Sequence, residues 1–124
     1  KARITAKDKL QLGDTFTADF RTPIAIQNQW IGLYSGLPRG DLGCKSLLWV
    51  YTGCNNQKGN LIEGVACAKK LKSGSIQMDK SSLDTECGSN VWPLPVGTYY
   101  MCVSFYDYEP YTKFKCSNKI EVTA

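Results

Sequence analysis

Histidine is absent from the 124-residue sequence. Because histidine is the commonest general base near neutral pH, its absence excludes Ser-His and Cys-His catalysis and every histidine-dependent metal site. Long apolar runs are also missing. The uncharged, mostly apolar run from Thr22 to Gly36 contains Gln27, Asn28 and Gln29 and is too short and polar to span a bilayer. The net charge of +4 is small and the lysines are scattered, which argues against a nucleic-acid-binding surface.

Cysteine is abundant, but no CxxC pair occurs. The six cysteines are Cys44, Cys54, Cys67, Cys87, Cys102 and Cys116. An even number of well-separated cysteines, with no histidine to complete a zinc site, predicts three disulfides and an oxidising compartment. No charged-then-apolar leader precedes Lys1, so we expect a mature secreted or extracellular chain from which any signal peptide has been removed.

Strand signals dominate the chain. Alternating apolar and polar residues, rich in β-branched and aromatic types, predict seven strands at 2–6, 15–20, 29–34, 47–52, 74–78, 98–106 and 113–122. Segment 61–71 comes nearest to a helical pattern, but Gly64 reduces it to a short turn. Seven short strands with frequent turns predict a single all-β domain over residues 1–124, a two-sheet antiparallel Greek-key sandwich.

A proline-rich turn precedes the strongest predicted strand. In Greek-key sandwiches, a tyrosine at such a corner hydrogen-bonds back to the upstream backbone. Tyr99 shares an apolar strand face with Met101 and Val103, so counting faces assigns Tyr99 to the core. Spacing alone favours Tyr100, which stands two residues before Cys102.

Four short motifs resemble those of a known fold family. They are 30–34 (WIGLY), 48–52 (LWVYT), 94–99 (LPVGTY) and 120–122 (IEV). In this order the chain resembles, over roughly residues 10–122, the Ig-like β-sandwich modules of secreted and surface proteins, and it is similar to SKICH-type domains. The resemblance implies an Ig-like fold and a binding role. SKICH domains are intracellular and lack disulfides, so their partners are not carried over.

The cysteine pairing follows from threading the predicted strands up and down the sandwich. Cys44 and Cys54 flank one extended strand of about 25 Å, far beyond the roughly 7 Å that a disulfide allows between Cα atoms. Cys102 and Cys116 lie at equal distances in sequence from Glu109, the middle of a predicted hairpin turn. The threading therefore predicts three pairs, Cys44–Cys87, Cys54–Cys67 and Cys102–Cys116.

Carboxylates offer the remaining catalytic or metal-binding chemistry. The candidates are Asp107 and Glu109 at the hairpin tip, and Asp79, Asp84 and Glu86 in one connection. Paired acids serve glycosidases, and loop oxygens serve calcium. Acids in turns are ordinary solvated residues, and no EF-hand pattern occurs. We therefore expect no catalytic residue, no metal and no cofactor.

Aromatic and basic residues offer binding surfaces. Trp30 and Trp49 alternate with aliphatic residues and are predicted to lie in the core, whereas Trp92 is predicted to be partly exposed. The candidate ligand-binding residues are Tyr106, Asp107, Tyr108, Glu109 and Tyr111 at the hairpin tip, and Lys58, Lys69 and Lys70 in a basic loop. Two interpretations stay open for the tyrosines: they recognise a ligand, or they cover the edge of a sheet. Two also stay open for the lysines: they attract an acidic partner, or they form a solvated face.

Together these features predict a secreted or cell-surface, non-catalytic module. It would bind an extracellular protein or carbohydrate through loops at one end of the sandwich. Two alternatives stay open on the sequence: a structural or matrix component that acts by self-association, and an inhibitor that presents a loop to a hydrolase.

Overall fold

Nine strands lie in the part of the chain that the structure describes. The computed structural model describes residues 1–26, 28–57, 70–106 and 109–124. The strands are β1 (Arg3–Ala6), β2 (Lys9–Gln11), β3 (Phe16–Arg21), β4 (Trp30–Tyr34), β5 (Leu48–Tyr51), β6 (Ser73–Met78), β7 (Gly97–Ser104), β8 (Phe114–Cys116) and β9 (Ile120–Thr123). Two single-turn 3-10 helices, Lys80–Ser82 and Thr85–Cys87, connect β6 to β7, and the described residues contain no α-helix. The all-β prediction is confirmed.

The strands form two sheets. The first has the order β1-β3-β6 and the second β2-β9-β7-β4-β5, with β8 pairing to β7 next to β9. The two-sheet prediction is therefore confirmed, but the prediction of seven strands in purely antiparallel pairing is wrong. Strand β2 pairs in parallel with β9, from Lys9 opposite Glu121 to Gln11 opposite Thr123. After β1 the chain crosses from the first sheet to the second. There β2 pairs with the edge of β9, and the two strands run in the same direction.

The core lies between the two sheets and follows the strand alternation. Ile31 and Leu33 from β4 and Met101 and Val103 from β7 are fully buried there. Tyr99 is also buried, and its hydroxyl donates a hydrogen bond to the Pro95 carbonyl oxygen at 2.5 Å. The face-counting prediction for Tyr99 is thus confirmed, because this bond ties the start of β7 to the turn before it.

The tryptophans do not all lie where the sequence places them. Ile31 and Val50 face the inter-sheet core, so their neighbours Trp30 and Trp49 lie on the opposite, outer face of the second sheet. The prediction that Trp30 and Trp49 belong to the core is therefore wrong. Trp92 is half-buried as predicted and packs edge-to-face on Phe16, with ring centroids 6.4 Å apart.

Two of the predicted disulfides lie within the described residues. Cys44 bonds to Cys87 with a Cα separation of 5.1 Å. Cys102 bonds to Cys116 directly across β7 and β8, with a Cα separation of 4.0 Å. Both pairings are confirmed. Cys54 is not a free thiol. The third predicted pair includes Cys67, which lies outside the described residues, as does most of segment 61–71.

Candidate functional site

The predicted binding residues do not form one surface. Tyr106 is exposed, and Lys70 is exposed three residues before β6; neither lines the cavity described below. Glu109 and Tyr111 do line that cavity. The remaining candidates, Asp107, Tyr108, Lys58 and Lys69, lie outside the described residues. The structure therefore brings together only the second half of the predicted hairpin tip.

The cavity is a groove on the outer face of β4 and β5, with a volume of about 310 Å³. Its floor contains Trp30, Trp49 and Tyr51, which project from the two strands away from the inter-sheet core. One wall contains Glu109 and Tyr111, which lie between β7 and β8, and the other is the segment with Asp84, Glu86 and Cys87 that follows the first 3-10 turn. We name this cavity the aromatic groove.

The rings of the aromatic groove meet at nearly right angles. Trp30 and Trp49 have centroids 6.5 Å apart at an interplanar angle of 77°. The ring centroids of Tyr111 and Trp30 are 5.0 Å apart, with an interplanar angle of 86°. Those of Tyr51 and Trp49 are 4.8 Å apart, with an interplanar angle of 88°. Edge-to-face contacts of this kind are favourable for aromatic pairs. They connect the four rings in the order Tyr111, Trp30, Trp49, Tyr51.

A single carboxylate holds the first wall in place. Asp41 Oδ1 accepts hydrogen bonds from the backbone N–H groups of Gly43 at 2.8 Å and Tyr111 at 3.1 Å. The Leu42 N–H donates in turn to the Tyr111 carbonyl oxygen at 3.0 Å. A Cβ atom on Gly43 would lie only 3.1 Å from Asp41 Oδ1, so the absence of a side chain lets the loops approach closely. These contacts position Tyr111 and Glu109 over the groove.

Buried polar contacts hold the second wall. Asp84 is buried, accepts a hydrogen bond from Ser46 Oγ at 2.5 Å, and caps the second 3-10 turn at the Cys87 N–H. Leu83 forms a β-bridge with Leu48, which fixes the segment along the edge of β5. The Cys44–Cys87 disulfide ties this wall to segment 41–44, in which Asp41 holds the first wall. The groove is therefore fastened on both sides.

Negative charge dominates the groove. Among its described lining residues are three carboxylates, Asp84, Glu86 and Glu109, and no lysine or arginine. Burial, and after it the charge of Glu86, raises the pKa of Tyr51. The Oδ1 atom of Asn28, also in the lining, is buried and has no hydrogen-bond partner among the described residues.

The carboxylates singled out in the sequence have mainly structural surroundings. Asp79 caps the first 3-10 turn through the Ser81 N–H, and Asp84 is engaged by Ser46 and Cys87. Within the described ranges, no group of three or more histidine, cysteine or acidic residues is arranged to hold a metal ion. The acids of this connection therefore act first as caps and tethers.

Sequence reasoning missed the floor of the groove. Both WIGLY (30–34) and LWVY (48–51) carry aromatic residues on the strand face opposite their core residues. A strand with large apolar residues on both faces is covered on both. Here the second cover consists of loops, and the buried residues Tyr34, Leu42 and Cys102 form a small apolar cluster beneath them. That double-sided pattern was the available signal.

In the part of the chain that the structure describes, no helix combines the length and the apolar composition needed to cross a membrane. A scan against protein-family models finds no family that matches the sequence, and a search of curated proteins finds no significant match.

Proposed function

We propose that this domain is a secreted or cell-surface, non-catalytic module that binds an extracellular protein or glycan in the aromatic groove. The observation that carries the proposal is the groove itself. Four half-buried rings and two exposed carboxylates line a fixed concave surface of about 310 Å³, at the lower end of the usual range for ligand sites. Aromatic side chains on rigid elements provide large contact areas at small entropic cost.

The strand arrangement supports the resemblance to Ig-like modules. In such sandwiches, two antiparallel sheets pack face to face, and a tyrosine near the start of a late strand bonds back to the preceding turn. Here β3 and β6 belong to one sheet, β4 and β7 to the other, and Tyr99 makes that bond to Pro95. Ig-like modules commonly bind partners through loops, which agrees with a groove whose wall contains Glu109 and Tyr111, between β7 and β8.

The disulfides support an extracellular location. Two bridges join loops and strands of the described fold, and Cys44–Cys87 ties one wall of the groove to segment 41–44. Such bonds persist in oxidising compartments and are rare in reducing ones. A groove whose walls depend on a disulfide is suited to work outside the cell.

The test compares three proteins on a glycan array and on a displayed random-peptide library. These are the wild type, Trp49→Ala in the groove, and Tyr106→Ala outside it as the matched control. We expect specific ligands for the wild type and Tyr106→Ala, and their loss for Trp49→Ala, with all three folded by circular dichroism. The proposal is contradicted if the wild type binds no ligand on either platform, or if Trp49→Ala still binds the ligands of the wild type.

A further inference from the structure

The connected, nearly perpendicular rings of the aromatic groove are suited to a positive charge. The face of an aromatic ring is electron-rich, so a cation lying against two or more faces is attracted by each. The angles of 86° between Trp30 and Tyr111 and 77° between Trp30 and Trp49 direct neighbouring faces towards different sides of the groove. Stacking against a flat apolar surface would instead favour parallel, fully exposed rings.

The charge of the groove is opposite to that of the chain. The whole sequence has a net charge of +4, yet the described lining holds Asp84, Glu86 and Glu109 and no basic residue. Asp84 is engaged by Ser46, whereas Glu86 and Glu109 are exposed at the rim. Two rim carboxylates beside perpendicular rings are complementary to a cationic ligand and repel an anionic one.

The size and the acceptors of the groove indicate what kind of cation fits. A volume of about 310 Å³ accommodates one extended side chain rather than a folded segment. The unpartnered Asn28 Oδ1 is an acceptor in the lining that an N–H donor could satisfy. A buried acceptor without a partner carries an energetic cost that a donating ligand removes.

From these observations we propose that the aromatic groove binds a protonated primary alkylamine, presented by a lysine side chain on a protein partner. The inference rests on the proposed function and specifies its ligand class. The ammonium group would lie against the open faces of the Trp30, Trp49 and Tyr111 rings, with Glu86 and Glu109 providing the countercharge and Asn28 accepting an N–H bond. The aliphatic part of the lysine would contact the ring edges.

The experiment is an NMR titration of the domain with N-acetyl-lysine-N-methylamide. The matched probe is N-acetyl-norleucine-N-methylamide, which has a similar aliphatic chain and no ammonium group. We expect the lysine probe to shift the indole N–H signals of Trp30 and Trp49, with an affinity that falls as salt increases. We expect no saturable shift with the norleucine probe.

Variants assign the effect to named groups. Trp49→Ala is expected to weaken binding of the lysine probe about fivefold or more, as the loss of one cation–π partner predicts. Glu86→Gln and Glu109→Gln are each expected to weaken it by about two- to fivefold, the range for exposed ion pairs. Glu121→Gln on the exposed face of β9 is the matched control and should leave the affinity unchanged. The glutamine variants keep the test valid if Trp49→Ala fails to fold.

Each other outcome contradicts the inference. Equal binding of the norleucine probe would show that charge is irrelevant, and tighter binding of choline would assign the groove to a free quaternary amine instead of lysine. If the lysine probe is silent while a glycan bound on the array depends on Trp49, the lysine inference is wrong and the proposed function stands. If probe and arrays are all silent, both are wrong.

Discussion

At the scale of single residues, Gly32 determines how the outer face of β4 is filled. It stands in register with Trp49 on one side and Cys102 on the other. A Cβ atom at this position would lie 2.8 Å from Tyr34 Oη and 3.0 Å from Trp30 Cζ3. The space above Gly32 is therefore already occupied by two aromatic side chains, and the glycine is needed for close approach.

Gly32→Ala is predicted to destabilise the domain by about 1–3 kcal/mol, the usual cost of overpacking. The Tyr34 ring cannot move away freely because it is buried and its hydroxyl donates to the Leu42 carbonyl oxygen. Urea denaturation measures the loss. Gly13→Ala is not a suitable control, because the positive φ of Gly13 would strain an alanine for a different reason. The variant used for comparison is therefore Ala25→Gly, on the connection between β3 and β4. An unchanged midpoint for Gly32→Ala would contradict this account of the packing.

Tyr34 also makes stability depend on pH. Burial raises its pKa above the ordinary value of about 10, and the charges of Asp84 and Asp41 raise it further. As the pH rises, the unfolded chain therefore loses the Tyr34 proton before the folded chain does, so this contribution to stability is complete below about pH 10 and is lost above it. Burial raises the pKa values of Tyr99 and of half-buried Tyr51 in the same direction.

Tyr34→Phe is accordingly predicted to lose less stability between about pH 9 and about pH 11 than the wild type. At neutral pH it should be less stable by about 1 kcal/mol because the hydrogen bond to Leu42 is missing. Guanidinium unfolding at a series of pH values gives both quantities. Parallel curves for the two proteins above about pH 10 would mean that Tyr34 ionises as an ordinary tyrosine.

At the scale of elements, the alternation of apolar and polar residues predicted most strands, but it did not predict which parts of the chain cover each strand face. The period of two located Ile31, Leu33, Met101 and Val103 on core faces because the pleat itself imposes it. It could not locate β2, since three residues with only Leu10 buried are too few to show a period. Nor could it show which loops cover the outer face, because those contacts are made between residues far apart in sequence.

The aromatic groove was hard to predict for the same reason. Glu109 and Tyr111 were recognised because a hairpin tip is a local feature. Trp30 and Trp49 were assigned to the core, since large apolar residues in central strands usually lie there. What places them in a groove is the Asp41 carboxylate, which accepts a bond from Gly43 nearby and another from Tyr111, 70 residues away from Asp41 in sequence. No local pattern encodes that contact.

The two disulfides are predicted to differ in their resistance to reduction. Cys44 is exposed, whereas Cys102 is completely buried on the outer face of β7. Because exchange requires access of the reductant to sulfur, mild reduction of the native domain should open Cys44–Cys87 first. Alkylation followed by peptide mapping identifies the thiols released.

Selective opening of Cys44–Cys87 has a second expected consequence. The bond ties the wall that contains Glu86 to segment 41–44, so ligand binding in the aromatic groove should weaken while the sandwich stays folded by circular dichroism. Labelling of Cys102 as early as Cys44 would contradict the predicted order. Global unfolding on the first reduction would show that the bridge supports the whole fold and not one wall.

At the scale of the whole molecule, asparagine side chains join strands that share no ladder. The Asn118 side chain accepts a bond from the Ala6 N–H at 2.9 Å and donates to the Ala6 carbonyl oxygen at 3.1 Å. Asn118 lies between β8 and β9, and Ala6 ends β1 of the other sheet. Asn55 makes the same two-way pairing with the backbone of Gln77 on the edge of β6. Each side-chain amide thus accepts from a backbone N–H and donates to the carbonyl oxygen of the same residue, as a residue of a neighbouring strand does.

Asn118→Ala is predicted to destabilise the domain by about 1–2 kcal/mol, because the bonds to Ala6 are partly buried and water cannot fully replace them. Asn118→Asp keeps the acceptor for the Ala6 N–H and loses the donor, so its stability should lie between those of Asn118→Ala and the wild type. Asn90→Ala, at an exposed position, is the control and should change stability by less than about 0.5 kcal/mol. Equilibrium denaturation of the four proteins gives the order of their free energies of unfolding.

If Asn118→Ala is as stable as Asn90→Ala, the prediction is contradicted. The crossing of the chain from β1 to β2 is then held by the strand ladders alone, and the hydrogen bonds between Asn118 and Ala6 do not stabilise the packing of the two sheets.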